Sequence, residues 1–129
     1  MSKVEDHLAI RELAARYNRA FDYRNPKAWV ECFTTDGTFE MGGRQLAAGS
    51  EALLKFAEKM IPTMKVKHCT TDAIVEVTGD TAIHDAYLIL VDTGEKVSVV
   101  NSGRYLDKVV KINGVWKFKQ RVVDIDGKM

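Results

Sequence analysis

The sequence predicts an α+β domain with helices first and an antiparallel sheet last, and three observations carry that expectation. Apolar residues recur at helical spacing in the N-terminal part and at strand spacing after Pro62. The late segments are joined by Gly79-Asp80, Thr93-Gly94 and Asn113-Gly114, turns short enough only for antiparallel neighbours. No helical stretch separates those strands, which excludes a parallel βαβ arrangement.

The first helix shows the clearest period. Ile10, Leu13, Ala14, Tyr17 and Phe21 share one face, while Arg11, Glu12, Arg16 and Arg19 take the other. Ser2 and Glu5 have capping-box spacing before it, and Arg24-Asn25-Pro26 ends it, because a residue preceding proline avoids helical angles. Asn25 caps a short second helix with Pro26 in its first turn, carrying Trp29 and Phe33 inward. Thr34-Thr35-Asp36-Gly37 reads as a turn, and Thr38 to Met41 with Arg44 to Ala47 as a hairpin about Gly42-Gly43. Ser50 is the expected cap of a third helix, in which Leu53, Phe56, Ala57 and Met60 share a face until Pro62. Four strands follow, near residues 64–78, 81–92, 96–112 and 115–126. Asn113-Gly114 is the strongest hairpin signal, since both residues tolerate positive φ.

At 129 residues the chain fits one domain, 1–129, and 46% hydrophobic with 29% charged residues is globular composition. Nineteen basic against eighteen acidic side chains give a net charge of +1, so no nucleic-acid-binding surface is expected. Met1 to Asp6 lacks the apolar core of a signal peptide, and no apolar run approaches the roughly 20 residues of a membrane span, which points to a cytoplasmic protein with no membrane partner. Cys32 and Cys69 form neither a CxxC nor a disulfide framework and are expected reduced and partly buried. His7, His68 and His84 show no metal-ligand spacing, so neither metal nor organic cofactor is expected.

A sheet covered by helices on one face must curl over them, and a helix layer too small to cover it leaves an opening for a small apolar molecule. Function is therefore sought on the inward face.

Tyr17 through Glu40, YNRAFDYRNPKAWVECFTTDGTFE, resembles the opening of SnoaL-like domains of the nuclear transport factor 2-like superfamily. It shows a helix ending in an aromatic-Asp pair, a Trp in the next helix, then Phe-Thr-x-Asp-Gly-x-Phe. The likeness continues through Gly49, Lys67-His68, Gly79-Asp80, Gly103-Arg104-Tyr105 and Asn113-Gly114-Val115-Trp116. It implies a cystatin-like cone, three N-terminal helices packed on a curved, mostly antiparallel sheet.

Within that superfamily the chain resembles the branch containing scytalone dehydratase, hexachlorocyclohexane dehydrochlorinase and bile-acid 7α-dehydratase. Those enzymes share an Asp ending the first helix and a His on the strand after the third; Asp22 and His68 match. A carboxylate on one ring nitrogen fixes the tautomer and raises the basicity of the other, as elimination requires. Tyr17 resembles a pocket tyrosine of the bile-acid dehydratase, and Arg121 the late-strand arginine of both dehydratase and dehydrochlorinase. The resemblance thus implies catalytic residues His68, Asp22, Tyr17 and Arg121. Two features depart from it. Ketosteroid isomerases of this fold carry their base carboxylate where this chain has Met41, with Glu40 on the opposite face, and Leu88 to Val91 lacks the second histidine of scytalone dehydratase.

The residues leave alternatives open. Tyr17 lies in the apolar stripe of its helix and also suits a core role. Alternation from Val115 puts Trp116, Phe118 and Gln120 on one face and Lys117, Lys119 and Arg121 on the other; only a β-bulge near Gln120 brings Arg121 inside, and Asp124 takes the inward place without one. His84-Asp85 are strand neighbours on opposite faces and cannot form a dyad. Lys65, Lys67, Lys117 and Lys119 read as a solvated surface, and Asn101, Ser102 and Arg104 as possible polar contacts of the pocket. The leading expectation is a cofactor-independent lyase or isomerase for a small, largely apolar, hydroxylated or carbonyl-bearing ring compound. A non-catalytic ligand-binding or dimerisation module is the alternative, and a polyketide cyclase would follow from an inward Asp124. Outward residues such as Val97, Val99 and Val109 suggest a homodimer through the sheet face.

Overall fold

The computed structural model describes residues 3–128. Its elements are α1 (Lys3–Asp22), α2 (Pro26–Glu31), β1 (Phe33–Met41), β2 (Arg44–Ala48), α3 (Ser50–Met60), β3 (Val66–Thr78), β4 (Thr81–Asp92), β5 (Ser98–Ile112) and β6 (Val115–Ile125), with a 3-10 turn at Ile61–Thr63. The strands form one curved mixed sheet in the order β2-β1-β6-β5-β4-β3. β3 to β6 are the expected antiparallel meander, and β1 joins its free edge in parallel to β6.

The helical stripe of α1 is the floor of the core: Ile10, Leu13, Ala14, Tyr17 and Phe21 are all buried. α1 runs antiparallel along β3, tied by Arg11 to the Ala73 carbonyl (3.1 Å), Asn18 to Thr70 (2.7 Å) and Asp22 to His68. At its other end Asp6 accepts a hydrogen bond from the Trp116 indole N–H (3.0 Å) and pairs with Lys111 (3.1 Å). Ser2 of the expected capping box lies outside the described residues. In α2, Asn25 caps through its side-chain oxygen to the Ala28 N–H (3.1 Å), Pro26 opens the helix, and Trp29 is fully buried. The core is rich in aromatics, with Tyr17 at its centre, its ring 5.3 to 6.1 Å from those of Trp29, Phe33, Tyr105 and Phe118.

Three local expectations are corrected. Thr34 to Gly37 belongs to β1, as an irregular bend: Phe33 pairs with Phe118 and Thr38 with Gln120, so four residues face one, Lys119. The turn chemistry persists, with the Thr34 hydroxyl donating to Asp36 (2.9 Å) and a backbone approach at Gly37 so close that a Cβ would meet the Phe33 Cβ and the Thr34 carbonyl oxygen at 3.0 Å. Gly49, at φ 85°, takes the cap position of α3; Ser50 is the first helical residue, and its hydroxyl donates instead to the Thr35 carbonyl (3.3 Å). Val109 is fully buried, whereas Val97 and Val99 are exposed as expected.

Two bulges decide which side chains enter the cone. On β6, Gln120 pairs with Lys108 and Phe118 with Val109, so Lys119 is the extra residue and the inward phase shifts from Trp116 and Phe118 to Arg121 and Val123. On β3, Asp72 and Ala73 face the single residue Ala86, with Asp72 at φ 53°, and the inward phase passes from His68 and Thr70 to Val75. As a result one buried row crosses all six strands: Val75, His84, Asp107, Arg121, Phe39 and Ala47.

Candidate functional site

Asp22 is the last residue of α1, where the negative end of the helix dipole disfavours a carboxylate by about 0.3–1 kcal/mol. Two hydrogen bonds from one residue compensate. The backbone N–H of His68 donates to Asp22 Oδ2 at 2.9 Å, and His68 Nδ1 lies 2.6 Å from Oδ1. The side chains of His68 and Asp22 are 9% and 7% exposed. With Nδ1 committed to the carboxylate, Nε2 is the nitrogen left to exchange a proton. The Phe21 ring, 4.7 Å from the imidazole, forms an apolar wall beside it.

Arg121 is fully buried, because the β6 bulge turns it inward. Its guanidinium stacks on Tyr105 (3.5 Å from the ring centre), Tyr17 (4.1 Å) and Phe118 (4.4 Å), and its Nε lies 3.2 Å from Asp107 Oδ1. An opposite charge and three ring faces offset part of a large desolvation cost. None of its three nitrogens meets a hydrogen-bond acceptor in good geometry. The bulge that the expectation for Arg121 required is therefore present, one residue before Gln120; Gln120 itself turns to bond Glu40 (3.0 Å). Asp124, the residue that would otherwise have faced inward, is exposed.

Tyr17 packs in the core, as its place in the apolar stripe suggested, and its ring contacts Arg121. Burial, above all, pushes its hydroxyl well above the ordinary tyrosine range, and burial also raises that of Tyr105, with the Arg121 charge opposing and the Asp107 charge adding to the effect. Both phenols are therefore neutral donors near pH 7. The four anticipated residues form two contacts, Asp22 with His68 and Tyr17 with Arg121; Phe21 packs against His68 of the first and Tyr105 against both members of the second.

Sequence reading missed a second dyad. His84 and Asp85 point to opposite faces as expected, Asp85 outward to a bidentate pair with Arg104 (2.6 and 2.8 Å). Arg104 thereby leaves the inward face, and Ser102 is exposed and bonded to Asp126. His84, however, lies directly across β4 and β5 from Asp107, with Nδ1 2.8 Å from Asp107 Oδ2 and both side chains buried. The His84-x22-Asp107-x13-Arg121 spacing was its only signal, and reading it needed the register of two hairpins and the β6 bulge.

Cys32 is buried and its thiol is pushed up to about 11, mainly by burial; Cys69 is exposed, not partly buried. Lys117 and Lys119 are engaged with the Glu31 carbonyl and with Asp36. Among the described residues no group of three or more His, Cys, Asp and Glu side chains could hold a metal ion, and no helix is long and apolar enough to cross a membrane.

Three helices on one face of a curved, unclosed sheet, with polar side chains turned into the interior, define a cystatin-like, nuclear transport factor 2-like protein. The chain belongs to the SnoaL-like domain family, whose profile matches residues 2–122. It is similar to a protein of unknown function from Mycobacterium tuberculosis (29% identity, TM-score 0.90, all of this chain and 79% of that one). It is equally similar to a protein of unknown function with a cystatin-like fold from Nostoc punctiforme (29%, 0.90, all of this chain and 96% of that one). A scytalone dehydratase-like protein from Novosphingobium aromaticivorans shares the fold at 24% identity and TM-score 0.83, over 96% of this chain and 86% of that one. No curated protein matches the chain in sequence.

Proposed function

We propose that the chain is a cofactor-independent lyase of the dehydratase type, or an isomerase using the same base, acting on a small, largely apolar, hydroxylated or carbonyl-bearing ring compound. The observation that carries this reading is the contact of His68 Nδ1 with Asp22 at 2.6 Å, in a setting nearly closed to water and walled by Phe21. In the elimination, His68 Nε2 removes a proton from a carbon beside a carbonyl. The C–H electron pair forms the new double bond, and the C–O bond to the departing hydroxyl breaks. Asp22 holds the resulting imidazolium. The Tyr17 hydroxyl hydrogen-bonds the departing oxygen, which leaves as water once the imidazolium returns its proton, and the N–H groups of Arg121 stabilise charge on the enolate oxygen. For an isomerase the imidazolium returns the proton to another carbon instead. Neither route needs a metal or an organic cofactor.

The test is substitution against a panel of hydroxylated and ketonic ring compounds. His68→Ala should abolish turnover of any substrate found while the fold is kept; retained turnover would sink the assignment. The polyketide cyclase alternative rested on an inward Asp124, which is exposed. Whether the chain is catalytic or a non-catalytic ligand-binding or dimerisation module, its outer sheet face exposes Ile83, Tyr87, Ile89 and Leu106 on the neighbouring strands β4 and β5. We propose under either reading that this face pairs with a second copy, which sedimentation of wild type against Tyr87→Lys would reveal as loss of a dimer.

A further inference from the structure

The buried row that crosses the sheet places His84, Asp107 and Arg121 on β4, β5 and β6, each directly opposite the next. Asp107 therefore has a cross-strand partner on either side, and it divides its carboxylate between them. Oδ2 lies 2.8 Å from His84 Nδ1, and Oδ1 lies 3.2 Å from Arg121 Nε. Because a carboxylate only accepts, the ring proton of His84 sits on Nδ1. An arginine facing a carboxylate commonly closes a two-point fork, two parallel N–H groups on two oxygens. That fork is open here. Asp107 Oδ1 and Arg121 Nε are close but not aligned as a hydrogen bond, and Nη1 and Nη2 meet no acceptor. The guanidinium lies instead against the faces of Tyr105, Tyr17 and Phe118. His84 is fully buried, so it acts on its neighbours and not on a ligand. Packing alone does not call for an imidazole there: its neighbour on β3 is the apolar Val75, and Nε2 carries a desolvation cost with no partner to offset it.

We propose that His84 is a positioning residue for Arg121. By holding Asp107 Oδ2 on the β4 side, it denies Arg121 the second oxygen of the fork. The guanidinium charge then stays over the Tyr17 and Tyr105 rings, only partly neutralised. Such a charge acts through a dry interior without contact, because a low effective permittivity screens it weakly. Without His84 the carboxylate turns towards β6 and closes on Arg121 in two hydrogen bonds, and the ion pair becomes self-contained. The proposal rests on the reading of Arg121 as the group that favours negative charge on the enolate oxygen, and adds the residue that keeps Arg121 fit for that task.

The test compares wild type with His84→Leu, which removes the N–H to Oδ2, and His84→Gln, which supplies another. The Arg121 guanidinium is followed by ¹H–¹⁵N NMR without substrate. In His84→Leu its Nε–H resonance should move downfield and its Nη signals, averaged in wild type, should separate as the fork forms; His84→Gln should resemble wild type. With an identified substrate, kcat should fall about ten- to hundredfold in His84→Leu, the worth of one charged donor, with KM little changed. His84→Gln should recover most of that loss. An Arg121 spectrum that ignores His84→Leu would overturn the proposal, as would equal responses to Leu and Gln, which mark packing alone, or a changed spectrum with kcat unaltered. Should His84→Leu fail to fold, wild type decides: an Nε2–H tautomer of His84, or Nη signals already separate, contradicts the open fork. The spectra need no substrate, so they stand even if His68→Ala retains turnover and the lyase reading falls.

Discussion

Asp22 holds His68 at two points, its Oδ2 on the backbone N–H at 2.9 Å and its Oδ1 on ring Nδ1 at 2.6 Å. One carboxylate therefore fixes both where the strand begins beneath the helix and how the imidazole turns. Asp22→Asn keeps the shape but can no longer stabilise an imidazolium. Turnover of an identified substrate should fall by about 10²–10⁴, the usual worth of a positioned base. Steady-state rates, with circular dichroism to confirm the fold, check this.

Asp107 bridges Arg121 and His84 in the interior, and all three side chains are essentially inaccessible. Asp107→Ala strands the Arg121 charge without its partner. Unfolding stability in urea should drop by about 3–5 kcal/mol, the range for breaking a buried ion pair from one side. A loss below about 1 kcal/mol, as for an exposed pair, would show that the ring stacking alone supports the guanidinium.

Gly103 packs its Cα against the backbone of β6, and a Cβ there would run into the Asp124 carbonyl oxygen. The obstacle is main chain and cannot rotate away. Gly103→Ala should cost about 1–3 kcal/mol as an overpacked contact, read as a lowered melting temperature.

The hydrogen bond from Trp116, followed by the Lys111 ion pair, holds the Asp6 carboxyl below the ordinary 3.8. A depressed folded-state value means the stabilisation is full above the unfolded-state value and is lost as pH falls through the folded one. Wild-type stability should therefore decline on acidification below about pH 4, and Asp6→Asn should flatten that decline; urea midpoints measured across the acid range test it.

Cys69 is exposed, whereas Cys32 is buried with its thiol raised to about 11. A thiol reagent should label one cysteine rapidly in the native protein and the second only on unfolding. Mass spectrometry of labelled peptides identifies which.

The fold was legible because helix period, strand period and turn pairs agreed along most of the chain. Asn113-Gly114 and Asn25-Pro26 carried local chemistry strong enough to place their elements. What escaped reading was phase. Alternation is lost wherever one extra residue enters a strand, and Lys119 and Asp72 do this with no sequence mark as plain as glycine or proline. Arg121 was anticipated only as one of two possibilities, Val109 was put on the wrong face, and the His84 to Asp107 contact was invisible until the hairpin register was known. Asp22 and His68 were picked out by the resemblance to SnoaL-like enzymes, and they sit at the end of a helix and the start of a strand, positions that bulges downstream do not disturb.

The central claim is that Asp22 locks the His68 ring with its proton on Nδ1 and leaves Nε2 free to act as the base. Long-range ¹H–¹⁵N correlation of the histidine rings near neutral pH measures this directly. The account predicts that His68 is a single Nδ1–H tautomer in wild type and a mixture in Asp22→Ala. An Nε2–H ring in wild type, or a spectrum that ignores the loss of Asp22, would contradict it.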